Sequence, residues 1–319
     1  MKLKSFATFG TFLFTSRVTL ANSGVLDQTS LIYEFPNNTW VENISARNNG
    51  ELLFPRQPVL VHELTDSLDV FGIAEYQTDR FAVLTGNFSF ETGDLGLGSW
   101  AVWSVDLNGV KISTQNEEPT LSSTPRVAKI ADIPPAQILD GLSLLSQKQQ
   151  TLLIGDLSAG VIYRLDIESG DVATVLNDTF TAAVPIPHFA PSGVDGLHVR
   201  NGELLLSNVG QQKLFKVPID EDGTPSGPVT VVASALSTLD GYDDFTFDCA
   251  NGSQQVTIAG DVNSTAIAEP TSCVFGRGLH DKNVLYVVTA GGLGLPVNGD
   301  TIIGGQLVAV KTTSIGSAC

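Results

Sequence analysis

Hydrophobic residues in this chain come in short runs punctuated by Gly, Asn, Asp and Pro, and helical periodicity is hard to find. One phrase organises the runs: Leu139-Asp140-Gly141-Leu142, then Val194-Asp195-Gly196-Leu197, then Leu239-Asp240-Gly241-Tyr242. Each copy is followed by an apolar strand, at 151–154, 203–206 and 255–258. The first two copies add a second strand with a basic residue inside it, at 161–165 and 213–217. All-strand repeats recurring at roughly 45–55 residues predict a β-propeller. Six units can be counted, at 41–64, 70–107, 138–176, 193–233, 239–268 and 271–312, and Asn49-Gly50, Asn108-Gly109, Asn201-Gly202 and Asp222-Gly223 supply tight turns. A strand at 31–35 precedes the first unit; because a propeller must protect its terminal edges, it is expected to complete the sixth unit and close the ring. The expectation is an all-β, six-bladed β-propeller forming a single domain over residues 22–319.

Composition narrows the partners. With 42 % hydrophobic residues, one large propeller core can absorb the whole chain. A net charge of −17 argues against nucleic acid and anionic membrane surfaces, both of which would repel it. Lys2 and Lys4 precede an apolar run at 6–14, and small residues end near Ala21, so residues 1–21 read as a signal peptide. No segment is long and apolar enough to read as a membrane span. Asn37, Asn43, Asn87, Asn177, Asn251 and Asn263 each head a glycosylation sequon, which agrees with the secretory pathway of a eukaryote. Cys249 and Cys273 lie in neighbouring units and are candidates for a disulfide, leaving Cys319 over.

Candidate chemistry comes from convergence. There is no Gly-x-Ser-x-Gly elbow and no phosphate loop. In a propeller the first strand of every blade opens at one mouth of the channel, so Glu42, Asn43, Asp140, Asp195, Asp240 and Asp244 would meet there, joined by Thr271 and Ser272. Clustered carboxylates raise one another's pKa, which can keep one protonated near neutrality. Long loops lie at 86–99, 111–136, 177–191 and 291–304; the first, third and fourth carry Phe88, Phe90, His188, Phe189 and Leu293 with few charges, either an apolar mouth for a hydrophobic ligand or ordinary packing on the blade edges. Trp100 is expected either to extend that wall or to sit in the blade core.

The stretches 39–53, Tyr242-Asp243-Asp244-Phe245, 269–277 and 285–292 resemble a fungal branch of the gluconolactonase/regucalcin-like six-bladed propellers, over roughly residues 31–312. Some members of that branch are hetero-Diels–Alderases of secondary metabolism. They join a quinone-methide-type oxadiene, made from a tropolone or other polyketide, to a terpene alkene. The resemblance implies small hydrophobic substrates; such a cycloaddition needs no cofactor, and the convergent ring suits it, with the Asp195/Asp244 pair as the acid and Glu42 and Ser272 as supporting donors. Asn43, Asp140, Asp240, Phe88, Trp100, His188, Phe189 and Thr271 would line the substrate. The wider lactonase group binds a divalent cation on its axis, which would place calcium or magnesium on Glu42, Asp195 and Asp244. Asp195 departs from that pattern, since Asn is usual there. A metal-dependent lactonase and a non-catalytic small-molecule binder are the rival readings.

Overall fold

The computed structural model describes residues 8–12, 29–54, 59–113, 120–186, 189–235, 242–247, 259–261 and 263–312; among them are strands and no helix. Two compact units divide the chain, one of residues 59–244 with 1–9, the other of residues 10–58 and 245–319. The strands begin with β1 (Thr8–Phe12), followed in the second unit by β2 (Thr29–Asn37), β3 (Ser45–Ala46) and β4 (Leu52–Phe54). The apolar run that reads as a signal thus contributes a strand, with Gly10 opposite Phe54 and Phe12 opposite Leu52, and β4 also pairs with β3.

The first unit opens with β5 (Leu60–Glu63) and then builds three antiparallel four-stranded blades. The first joins β6 (Asp69–Gln77), β7 (Arg80–Gly86) and β8 (Ala101–Asp106); after the short pair β9 (Ile112–Ser113) and β10 (Thr120–Leu121), β11 (Arg126–Asp132) supplies its outer strand. The second is β12 (Leu139–Ser146), β13 (Thr151–Asp156), β14 (Val161–Asp166) and β15 (Val172–Leu176). The third is β16 (Val194–Arg200), β17 (Glu203–Asn208), β18 (Lys213–Pro218) and β19 (Thr230–Ser234). The second unit adds β20 (Pro270–Phe275), β21 (Val284–Thr289) and β22 (Gly304–Lys311), with β2 paired to β22 as the fourth strand. The early strand therefore joins the last blade, as its unpartnered position in the sequence required. Meandering four-stranded sheets of this kind make the fold an all-β propeller.

One long loop of the sequence reading is corrected. Residues 111–136 contain β11, which pairs along β8 from Arg126 opposite Asp106 to Asp132 opposite Ala101. It escaped notice because an outermost strand is mostly exposed and its apolar positions are diluted by Arg126, Lys129 and Asp132. The fifth predicted repeat falls largely outside the described residues.

The repeated phrase has a backbone cause. In β12, Leu139 faces Asp156 and Leu142 faces Ile154, so Asp140 and Gly141 together oppose one residue. In β16, Asp195 and Gly196 lie between the pairs Val194–Asn208 and Leu197–Leu206. Phe71 and Gly72 of β6 lie likewise between Val70–Thr85 and Ile73–Val83. Each is a β-bulge, a device that re-aims a side chain out of the regular alternation. The apolar residues flanking each bulge enter the core: Val70, Leu139 and Val194 are buried, as are Leu142 and Leu197. Trp100 belongs to that core too. It is fully buried, its ring 5.1 Å from Phe71, and its indole N–H donates to the Leu95 carbonyl at 2.9 Å. Its expected role as a substrate wall is corrected accordingly.

Candidate functional site

The bulges bring the inner strands of the first unit into backbone contact. A Cβ on Gly72 would sit 2.2 Å from the Asp140 carbonyl oxygen, and one on Gly141 would sit 2.0 Å from that of Asp195. One on Gly196 would lie 2.5 Å from Asp244 Oδ1 and 2.6 Å from its Cα. Only glycine permits such approach, so each Asp-Gly pair presents an acid and, with the same bulge, a surface for the next acid to rest against. Asp244 occupies the place beside Gly196; Asp240, which the repeat suggested, lies outside the described residues. Phe71 stands where the other bulges carry Asp, which puts an aromatic ring at the start of the acidic series.

Asp140 and Asp195 are buried. Burial pushes the Asp140 carboxyl up to about 7, and the charge of nearby Asp244 adds to the rise. Asp140 thus keeps its proton up to about neutrality. The expectation had centred this property on Asp195 and Asp244. His198 places Nε2 2.9 Å from Asp244 Oδ1. Its signal was present in the chain: it stands two residues after the bulge glycine, a fixed offset from the repeated acid. Asp156 is raised by burial as well, but it accepts the N–H groups of Gln137, Ile138 and Ala159 and anchors a turn.

The remaining polar candidates gather in the second unit. Glu42 is buried and accepts the Trp40 indole N–H. Asn43 Oδ1 accepts the Ile44 N–H at 2.8 Å and the Ser272 hydroxyl at 3.3 Å, and the Thr271 hydroxyl donates to the Val41 carbonyl at 2.6 Å. Only 5 % of Asn43 is exposed, so a glycan cannot be attached there in the folded chain, and that sequon is corrected. Asn37, Asn177 and Asn263 are exposed, Asn87 is half-buried with Oδ1 accepting the Leu68 N–H, and Asn251 lies outside the described residues. Cys249 does too, which leaves its pairing with Cys273 without a structural test.

Glu269 is a residue the sequence reading missed. Its φ of 55° is left-handed, and its carboxylate accepts the Gly294 N–H at 3.0 Å and the Leu295 N–H at 2.6 Å. Burial pushes it up to about 7 against the lowering effect of those amides. It ties the 291–304 loop to the start of β20. Replacing Glu269 with Ala will speed amide exchange at Gly294 and Leu295 by about tenfold, the worth of one hydrogen bond; exchange mass spectrometry checks this, with β21 as the unchanged reference.

The apolar loops of the first unit behave as expected in part. Phe88 and Phe90 meet edge to face with centroids 4.6 Å apart, and Phe189 lies 5.8 Å from Phe88 and 5.5 Å from Phe90. Phe88 is buried beneath Phe90, which is 50 % exposed. His188 lies outside the described residues. Among the described residues no three His, Cys, Asp or Glu side chains are grouped to hold a metal ion. Nor is any helix there long and apolar enough to cross a membrane.

No family model matches the chain. Two curated fungal proteins do. One from Phoma sp, named "Putative hetero-Diels-Alderase", is 26 % identical over 81 % of this chain and 85 % of its own length. Another from Sarocladium schorii, "Putative hetero-Diels-Alderase asR5", is 24 % identical over 89 % of this chain and 83 % of its own. The chain resembles hetero-Diels–Alderases. The similarity to these hetero-Diels–Alderases runs along most of its length, as the residues 39–53 and 269–292 led one to expect. Among solved structures, a structural genomics protein of unknown function from Bacteroides thetaiotaomicron superposes with a TM-score of 0.54 at 12 % identity, covering 88 % of this chain and 75 % of that one. It supports the fold alone.

Proposed function

We propose that this protein is a hetero-Diels–Alderase on a six-bladed propeller, which joins a quinone-methide-type oxadiene to a terpene alkene. Similarity to two proteins of that name supports the reaction class. The observation that carries the mechanism is Asp140, a buried carboxyl raised to about 7 beside the charge of Asp244. A carboxylic acid that keeps its proton near neutrality can donate a hydrogen bond to the oxadiene carbonyl, where negative charge builds up as the new bonds form. Cycloaddition makes one C–C and one C–O bond without net proton transfer, so the acid is unchanged at the end. The same proton can first assist formation of the oxadiene. Asp140 protonates the hydroxyl that leaves as water, and the carboxylate it becomes takes the proton released from the precursor's ring hydroxyl.

Holding two apolar reactants face to face supplies the rest, with effective molarities that lower barriers by about 7–11 kcal/mol at most. Phe90 and Phe189 offer the terpene an aromatic surface. Replacing Phe90 with Ala will raise KM for the alkene by about tenfold with kcat nearly unchanged, the worth of part of one aromatic side chain. Steady-state kinetics with the alkene varied checks this. The reading itself is tested by incubating the protein with a hydroxylated tropolone and a cyclic sesquiterpene, with and without chelator. Conversion to one stereoisomer, insensitive to chelator, is the expected result. Chelator-sensitive hydrolysis of simple lactones would instead indicate a lactonase, and tight association without conversion a binding propeller.

A further inference from the structure

We propose that His198 is a positioning residue, whose imidazole fixes the Asp244 carboxylate beside Asp140 and so sets where the reacting oxygen is held. The proposal deepens the cycloaddition reading and rests on it. Its first support is the repeat. On β12 and β16 the position two residues after the bulge glycine reaches beyond its own strand, whereas on β6 it is the apolar Ala74: on β12 it is Ser143, whose hydroxyl oxygen accepts the Val199 N–H at 3.0 Å. On β16 the same position is His198, and the same reach ends on a carboxylate, Asp244 Oδ1, at 2.9 Å. A residue that elsewhere stitches blade to blade through the backbone here grips an ionisable side chain.

The second support is the state of Asp244. Asp140 and Asp195 stand on strands whose ladders fix them, whereas residues 242–247 have no regular secondary structure. Asp244 is held there by the His198 contact, by its N–H donating to Asp243 Oδ1 at 2.9 Å and by its close approach to Gly196. His198 stands on β16, held by Leu205 opposite it in β17. The contact ties the Asp244 carboxylate to that strand. Both side chains are partly covered, 30 % exposed for His198 and 13 % for Asp244, so the hydrogen bond is only partly screened by water. Since the charge of Asp244 acts on Asp140, moving its carboxylate would disturb the donor itself.

The test compares His198→Ala and His198→Gln with the wild type, by kinetics on the oxadiene reaction and by crystal structures of all three. Glutamine keeps a donor of similar reach. We expect the alanine variant to lose about 100-fold in kcat with KM within about threefold, as misplacement of a reacting group does. Its crystal structure should show the Asp244 carboxylate displaced from Gly196. The glutamine variant should return to within about tenfold of the wild-type kcat with Asp244 in place. An alanine variant with wild-type kcat, an undisplaced Asp244, or no rescue by glutamine would overturn the proposal. If the wild type converts no oxadiene, the cycloaddition reading falls on its own, and the crystal structures alone decide whether His198 positions Asp244. If the alanine variant does not fold, the glutamine variant decides by the same two readouts.

Discussion

Replacing Asp140 with Asn will lower kcat by about a thousandfold, within the range that loss of a general acid produces. Asn can still donate a hydrogen bond from its amide, so the larger part of the loss will fall on the dehydration step, which needs a proton delivered. Supplying a preformed oxadiene should therefore restore part of the rate. The wild-type enzyme should be most active below about pH 7 and lose rate as pH rises through that value, because the working form of Asp140 is the protonated one. The Asn variant should lose that dependence. Stability follows the same proton. A carboxyl whose folded pKa lies above its usual 3.8 contributes stability that is complete below about pH 4 and is lost as pH rises through about 7. The Asn variant should thus equal or exceed the wild type in stability at pH 8 and lose its advantage toward pH 4. Thermal melts across that window check the sign.

Replacing Gly141 with Ala will destabilise the fold by about 3 kcal/mol or more, among the larger effects of a single added methyl. The new Cβ would stand 2.0 Å from the Asp195 carbonyl oxygen, and that atom is backbone in the neighbouring strand, not the end of a side chain that can turn aside. Gly109 is the control. It sits in a tight turn at φ 76° with nothing within 4 Å of a built Cβ, so Gly109→Ala should cost only the strain of its backbone conformation, about 1 kcal/mol. Denaturant melts of the two variants separate steric contact between blades from simple turn strain. If Gly141→Ala costs no more than Gly109→Ala, the bulges do not hold the inner strands in contact.

Much of this architecture was legible because the propeller repeats itself. The Asp-Gly phrase marked the inner strand of two successive blades, and the lone strand at 31–35 had to find an edge to protect. What stayed hidden was whatever the repeat does not encode. The outer strand β11 is solvent-facing and mixes Arg126 and Lys129 with its apolar residues, so hydrophobic pattern could not separate it from a loop. Phe71 concealed the bulge of the first blade in its unit, since the glycine was there but the acid was not. The acids themselves were visible, yet their ranking was not. Asp140 looks like the other acids in sequence, and only its burial and the charge of Asp244 beside it raise its carboxyl to about 7. The importance of His198 lay in its offset from the glycine rather than in its residue type, and Trp100 was read as a wall because sequence cannot show on which side of a sheet a ring is buried.

The most direct test of the central claim is a carbon-13 NMR titration of the Asp140 carboxyl, assigned by its disappearance in Asp140→Asn. A midpoint near 7 that drops when Asp244 is replaced by Asn is the predicted result. A midpoint near the ordinary value of about 4, unmoved by that replacement, would mean that the bulged inner strands hold no protonated acid at neutral pH, and the mechanism would lose its donor.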